Sequence, residues 1–252
     1  MSASLFIKDN MQKLEIYFTP QEYLSRNSDW EHIAVVVDIL RATSTVCAAL
    51  DSGVKAVIPV ATLEEAKRKK AEGFIVAAER NTKKPDFADT GNDPLVLKSN
   101  QFAGKEIVMS TTNGTKAIEA AKKEKTVEIL AGSFLNLTAL SRYLLTTGDN
   151  VIILCSGWKG VYNLEDSFFA GALAERLLAG GKFTPANDAV LSSEILWKEG
   201  KNDILEFVSR ASAYARLINN GYGESMEYIF TPDSTAVIPF LEGNKLIRKQ
   251  WK

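Results

Sequence analysis

The chain has 252 residues, 46% of them hydrophobic and 24% charged, with a net charge of −1. That is ordinary globular composition, long enough for a sizeable core. The near-neutral balance gives no bulk attraction to nucleic acid or to an anionic membrane, so any anionic ligand must be held by local groups. Met1–Asn10 lacks the basic-then-apolar pattern of a secretory signal, and no run approaches the length of a membrane span. Cys47 and Cys155 both lie in apolar runs and form no metal-type pair, which reads as buried free thiols in a reducing cytoplasm. The single histidine, His32, excludes His-rich metal sites within one chain, and its place at a strand start favours a structural role.

In chain order, short β-branched runs alternate with amphipathic stretches. Leu14–Phe18 reads as a strand, and Ile33–Val37 as a strand covered on both faces. A helix over Thr43–Leu50 is stopped by Ser52-Gly53. Ala56–Val60 is a strand, and Thr62 is an N-cap for a helix over Leu63–Glu72, with Glu65 at the capping-box position. Phe74–Ala78 is a strand. Residues 80–100 hold Pro85, Gly91 and Pro94 without periodicity and read as a long functional loop. Then come a strand over Ile107–Ser110, a helix over Thr115–Lys123, a strand over Val127–Gly132, a helix near Leu137–Leu145, a strand over Val151–Cys155 and a helix over Leu164–Leu178. Beyond residue 181 the strand signal fades. Asp188–Lys198 and Asp203–Asn219 read as two helices, and Glu227–Phe240 as short strands.

This alternation implies an α/β fold: a mainly parallel sheet with helices on both faces and a helix-rich C-terminal part. One compact unit over residues 1–252 is expected, with 182–225 as a helical extension, since no linker composition interrupts it. Ligands of such sheets sit beyond the carboxyl ends of the strands. Four turns there carry chemistry.

The first runs from Asp38 through Arg41 to Thr43, Ser44 and Thr45. A helix start with hydroxyls and an arginine suits phosphate. Asp38 would repel the same anion unless a cation lies between them. A helix needs one cap, so three hydroxyls favour function over simple capping. The second turn is Ser110-Thr111-Thr112-Asn113-Gly114-Thr115, where Gly114 admits close backbone approach. The third is Glu79-Arg80 with the loop to Gly91-Asn92-Asp93-Pro94, which a surface ion pair would explain equally well. The fourth is Cys155-Ser156-Gly157 followed by Asn163-Leu164-Glu165-Asp166. Its two acids complement a helix dipole, or join Asp38 and Glu79 as oxygen ligands to Mg²⁺. Walker A, G-x-G-x-x-G, Cys-x₅-Arg and D-x-D patterns are all absent.

The runs VVVDILRATST (Val35–Thr45), Glu79-Arg80, Gly91–Pro94, STTNGT (Ser110–Thr115) and Cys155–Asp166 resemble, in this order, the 2-phosphosulfolactate phosphatase family, with a weaker match near Asp233–Pro239. Two segments differ from the family's usual pattern: Asn81-Thr82-Lys83-Lys84-Pro85 is poor in glycine, and Asp93 stands where the family has serine. The resemblance implies a Mg²⁺-dependent phosphatase acting on 2-phospho-3-sulfolactate or a related 2-hydroxy acid phosphate, as in coenzyme M biosynthesis. On this reading Asp38, Arg41 and Asp166 are catalytic. Asp38, Glu79, Glu165 and Asp166 are the metal-ligand candidates. Thr43, Ser44, Thr45, Arg80, Asn92, Thr111, Thr112, Asn113, Gly114 and Thr115 bind phosphate and substrate. The nucleophile stays open among Asp38, a metal-activated water and Cys155. A non-catalytic binding module for a phosphorylated or sulfonated metabolite is the alternative, and a lyase or isomerase a weaker third. The expected partner is a small phosphorylated hydroxy acid, with no nucleic acid and no membrane, and homo-oligomer formation stays open.

Overall fold

A computed structural model describes residues 11–80, 83–123 and 125–251. Met1–Asn10 and the Asn81-Thr82 pair of the divergent loop lie outside the described residues. The elements are, in order, β1 (Gln12–Tyr17), α1 (Pro20–Leu24), β2 (His32–Val37), α2 (Ala42–Asp51), β3 (Ala56–Val60), α3 (Leu63–Ala71), β4 (Ile75–Ala78), α4 (Pro94–Leu97), β5 (Glu106–Ser110), α5 (Thr112–Ala121), β6 (Thr126–Gly132), α6 (Leu137–Thr147), β7 (Asn150–Cys155), α7 (Leu164–Ala179), β8 (Phe183–Pro185), α8 (Asp188–Gly200), α9 (Ile204–Ser209), α10 (Ser212–Ile218), α11 (Gly223–Ile229), β9 (Pro239–Glu242) and β10 (Lys245–Arg248).

The strands form one ten-stranded sheet in the order β4-β5-β3-β10-β9-β6-β2-β7-β1-β8. Pairing is parallel within β4-β5-β3 and within β6-β2-β7-β1-β8. The antiparallel hairpin β9–β10 joins the two blocks, through the pairs Leu130↔Phe240 and Leu246↔Val57. The last two strands of the chain thus sit mid-sheet, and the two parallel blocks run in opposite senses along the ladder.

Strand β2 shows why the central run is almost wholly apolar. Ile33, Val35 and Val37 enter one core with α6, α7 and α8. Ala34 and Val36 enter the opposite core with α2 and α5. Successive side chains of a strand alternate between faces, so a strand covered on both sides needs apolar residues throughout. The second core also takes Val57 of β3, Ala77 of β4 and Ile107 and Met109 of β5. Helices α2 and α5 therefore pack against both parallel blocks, and this brings loops from the two blocks together.

Most expected elements are present, and Thr62 caps α3 by accepting the Glu65 N–H at 3.1 Å. Three readings need correction. The single helix expected over Asp203–Asn219 is two, α9 and α10, broken where Ala211 is extended (φ −73°, ψ 138°). The strands expected in Glu227–Phe240 are mostly absent: α11 runs to Ile229 and β9 starts only at Pro239. The long loop contains α4, whose start is capped by Asp93 accepting the Leu95 N–H at 2.8 Å. Asp233 fastens the tail to α6, accepting from the Thr138 N–H at 2.5 Å and its hydroxyl at 2.7 Å.

His32 is fully buried. Its Nδ1 faces the Trp30 carbonyl at 3.2 Å and its Nε2 the Tyr23 hydroxyl at 2.8 Å. Burial drives its pKa down to about 4, against a weaker rise from the Trp30 carbonyl, which keeps it a neutral structural group. Both cysteines are buried and unpaired. Among the described residues no helix is long and apolar enough to cross a membrane.

Candidate active site

Two networks meet at the loop after β2. The first is a cluster of acids. Asp38 follows β2, while Glu165 and Asp166 lie in the first turn of α7, just beyond β7. All three are buried. Asp166 Oδ1 accepts the Ile39 N–H at 2.8 Å. Asn163 Nδ2 bridges the α7 pair, donating to Glu165 Oε1 at 3.2 Å and to Asp166 Oδ2 at 3.0 Å. Asp38 receives the Ala42 N–H at 3.4 Å and also that of Gly114. These N–H groups come from the starts of α2 and α5, where backbone donors and the helix dipole favour negative charge.

Those contacts do not offset desolvation. Burial pushes Asp38 up to about 6. Burial, together with the Asp38 charge, pushes Glu165 to about 7 despite the opposing pull of Arg216. Burial, then Glu165, then Asp38 raise Asp166 well above the usual carboxylate range. The Asp38 charge thus acts on both α7 acids and Glu165 on Asp166, as expected for like charges sharing a dry site. Among the described residues no group of three or more His, Cys, Asp or Glu side chains is arranged to hold a metal ion by itself.

The second network centres on Arg41, whose side chain is 3% exposed. Its Nη2 donates to both Glu79 oxygens at 2.5 Å and its Nη1 to Asp93 Oδ2 at 3.0 Å. The guanidinium lies 3.8 Å from the Tyr222 ring centroid, and Ser225 donates its hydroxyl to Asp93 at 2.6 Å. Glu79 also accepts the Asn92 N–H at 2.8 Å, and the Asn92 amide donates to the Ser110 carbonyl at 2.6 Å. Arg41 thus binds the long loop and α11 to the end of β2. The Leu40–Arg41 peptide is cis.

The expected site residues divide accordingly. Asp38, Glu165, Asp166 and Gly114 come together: a Cβ added to Gly114 would lie 3.2 Å from Asp38 Oδ2. Glu79 has both oxygens on Arg41 rather than standing with the other acids. The hydroxyls of Thr43, Ser44 and Thr45 build the turn from within, donating to the carbonyls of Asp38 at 3.0 Å, Ile39 at 3.0 Å and Asn92 at 2.9 Å. Thr115 donates to the Thr111 carbonyl at 2.5 Å. Thr111 and Asn113 are half-buried and Thr112 is exposed at the open start of α5. Arg80 is exposed, its backbone paired with Lys83.

Ser225, Tyr222 and Arg216 were not legible as site residues, and Asp93, inside the third turn, had no role assigned from sequence. Asp93 stands 52 positions from Arg41, and Ser225 lies 132 positions from Asp93, in a helix with no motif.

Comparison with known proteins places the chain among relatives of one family. A family model described as 2-phosphosulpholactate phosphatase matches residues 17–244. A protein of Thermotoga petrophila named "Probable 2-phosphosulfolactate phosphatase" is 39% identical over 218 residues, covering 86% of this chain and 92% of the relative. Proteins given the same name are 34% identical in Caldanaerobacter subterraneus subsp. tengcongensis (86% of this chain, 90% of the relative) and in Gloeobacter violaceus (90% and 94%). The segments that form the two networks all lie inside the matched region, and the chain belongs to the 2-phosphosulpholactate phosphatase family.

Proposed function

We propose that this protein hydrolyses 2-phospho-3-sulfolactate, or a related 2-hydroxy acid phosphate, to the hydroxy acid and inorganic phosphate, with Mg²⁺ as cofactor. The observation that carries this reading is the burial of Asp38, Glu165 and Asp166 together, none of them in an ion pair among the described residues. Uncompensated buried carboxylates are costly, and a hard cation removes that cost. Mg²⁺ takes one or two carboxylates plus water and substrate phosphate, so a preformed cage of three protein ligands is not needed. Asp38 and Asp166 would hold it, with Glu165 beside them. When bound, it supplies Lewis-acid polarisation of the phosphoryl oxygens.

The protein's own groups set the geometry. The N–H groups of Ala42 and Gly114 hold the Asp38 carboxylate, and those of Ile39 and the Asn163 amide hold Asp166. The open start of α5 at Thr111–Asn113 offers donors to phosphate at the edge of the acid cluster. Arg41, neutralised by Glu79 and Asp93, positions loops instead of clamping phosphate. Cys155 is disfavoured as nucleophile. Its thiol is fully buried, and burial followed by the charges of Asp166, Glu22 and Glu165 pushes its pKa far up, away from thiolate. The attacking oxygen is then that of Asp38 or of water.

The test is phosphate release from a panel of 2-hydroxy acid phosphates with Mg²⁺ and with EDTA, in the native protein and in Asp38→Asn. Full activity in EDTA, or in the variant, sinks the proposal. Ligand-induced stabilisation without turnover would make the protein a binding module.

A further inference from the structure

The turn between β7 and α7 is rigid and projects outward. Trp158 and Val161 exchange backbone hydrogen bonds at 2.8 and 3.1 Å, with Lys159 and Gly160 at φ 55° and 82° between them. Gly157 has φ +59°, and a Cβ there would meet the Val161 carbonyl at 2.5 Å. The turn carries the indole of Trp158, 41% exposed. Two cations stand over that ring: Lys159 Nζ at 4.5 Å and the Arg216 guanidinium, from α10, at 4.9 Å from the centroid.

The turn adjoins the acid cluster, because Asn163 at its far end donates to Glu165 and Asp166. The Arg216 charge acts on Glu165, and the backbone N–H of Lys159 donates to Asn113 Oδ1, at the start of α5, at 3.4 Å. Neither forms an ion pair among the described residues, whereas Arg41 is already neutralised by two carboxylates. At the two ends of the turn, Ser156 Oγ and Asn163 Oδ1 are buried oxygens with no partner. Buried polar atoms left unpaired in a native fold call for a ligand or water. A substrate with an acidic group beyond its phosphate and carboxylate must place that charge beside three carboxylates, and local cations are needed to make this favourable.

We infer that Arg216 and Lys159, stacked on Trp158, form the subsite for an acidic group on the substrate carbon next to the phosphate-bearing one, a sulfonate in 2-phospho-3-sulfolactate. The inference rests on the phosphatase reading for its substrate class. It makes the C-terminal helices part of specificity, because α10 supplies the guanidinium.

The test compares kcat/KM for 2-phospho-3-sulfolactate with that for 2-phospholactate, which lacks the sulfonate, in the full chain and in Arg216→Gln, Lys159→Gln and Arg216→Lys. The ratio should fall about tenfold or more in each Gln variant, mainly through KM, and recover in part in Arg216→Lys. An unchanged ratio in the Gln variants, or equal losses on both substrates, overturns the subsite. If the native protein hydrolyses neither ester, calorimetric binding of sulfolactate and lactate decides instead. Preference for sulfolactate that disappears in Arg216→Gln upholds the subsite although the phosphatase reading has failed. Equal binding of the two by the native protein overturns it.

Discussion

The backbone N–H of Ile39 donates to Asp166 Oδ1 at 2.8 Å, joining residues 127 positions apart and fastening the loop after β2 to the first turn of α7. The bond fixes the α7 acid relative to Asp38, one residue before Ile39. Asp166→Asn keeps an acceptor for this N–H and removes one buried charge. Phosphate release is expected to fall about 100-fold or more. Urea unfolding of the metal-free variant at about pH 8 should show stability equal to or above the native protein, because a desolvated charge has gone. A variant that is both inactive and strongly destabilised would mean that the acid is structural.

Proton and cation should compete for the acid cluster. Asp38 at about 6 and Glu165 at about 7 lie above their ordinary values. Between about pH 4 and 7 the folded state therefore binds more protons than the unfolded one, and these groups make metal-free stability fall as pH rises through that window. Mg²⁺ should raise the melting temperature little near pH 5 and clearly near pH 8. A shift independent of pH would place the ion elsewhere.

Arg41 balances two acids, and its removal should cost more than the removal of either. Arg41→Ala leaves buried Asp93 and half-buried Glu79 without their cation, a loss of about 3 kcal/mol. Asp93→Asn leaves Arg41 paired with Glu79 and keeps an acceptor for the Leu95 N–H, so about 1 kcal/mol is expected. Equal midpoints for the two variants in urea unfolding would contradict this account.

Gly114 is a contact point, not a hinge. A Cβ there would lie 3.2 Å from Asp38 Oδ2, 3.3 Å from the Ala42 Cβ and 3.5 Å from Thr111 Oγ1. The Gly114→Ala variant should lose activity about tenfold or more through displacement of Asp38, while alanine is itself a better helix residue than glycine. A steady-state assay beside a melting curve separates the two effects.

His32 should govern part of the acid limb of stability. Its pKa in the fold is about 4, so the unfolded chain takes up the extra proton between about pH 6.5 and 4. The contribution is complete above about pH 6.5 and is lost as pH falls towards 4, about 3 kcal/mol in all. The acid cluster has the opposite sign over the same range, so the test is the difference between native and His32→Gln unfolding curves. That difference should shrink steadily as pH falls.

Local pattern was enough to identify β1 to β7, most helices and the loops where chemistry gathers, because two-face burial of a strand such as Ile33–Val37 and the cap at Thr62 are properties of adjacent residues. The DILRATST and TTNGT runs also carried the family resemblance that comparison with relatives bears out. Sequence position could not reveal that β9 and β10 enter mid-sheet, since their pairing with β6 and β3 is a long-range choice. Nor could it separate the four acids. Asp38, Glu79, Glu165 and Asp166 look alike in the chain, each following a strand. Only the tertiary packing gave Glu79 an arginine and left the other three buried together with no ion-pair partner among the described residues, and that difference in electrostatic environment separates a positioning group from a candidate reaction centre.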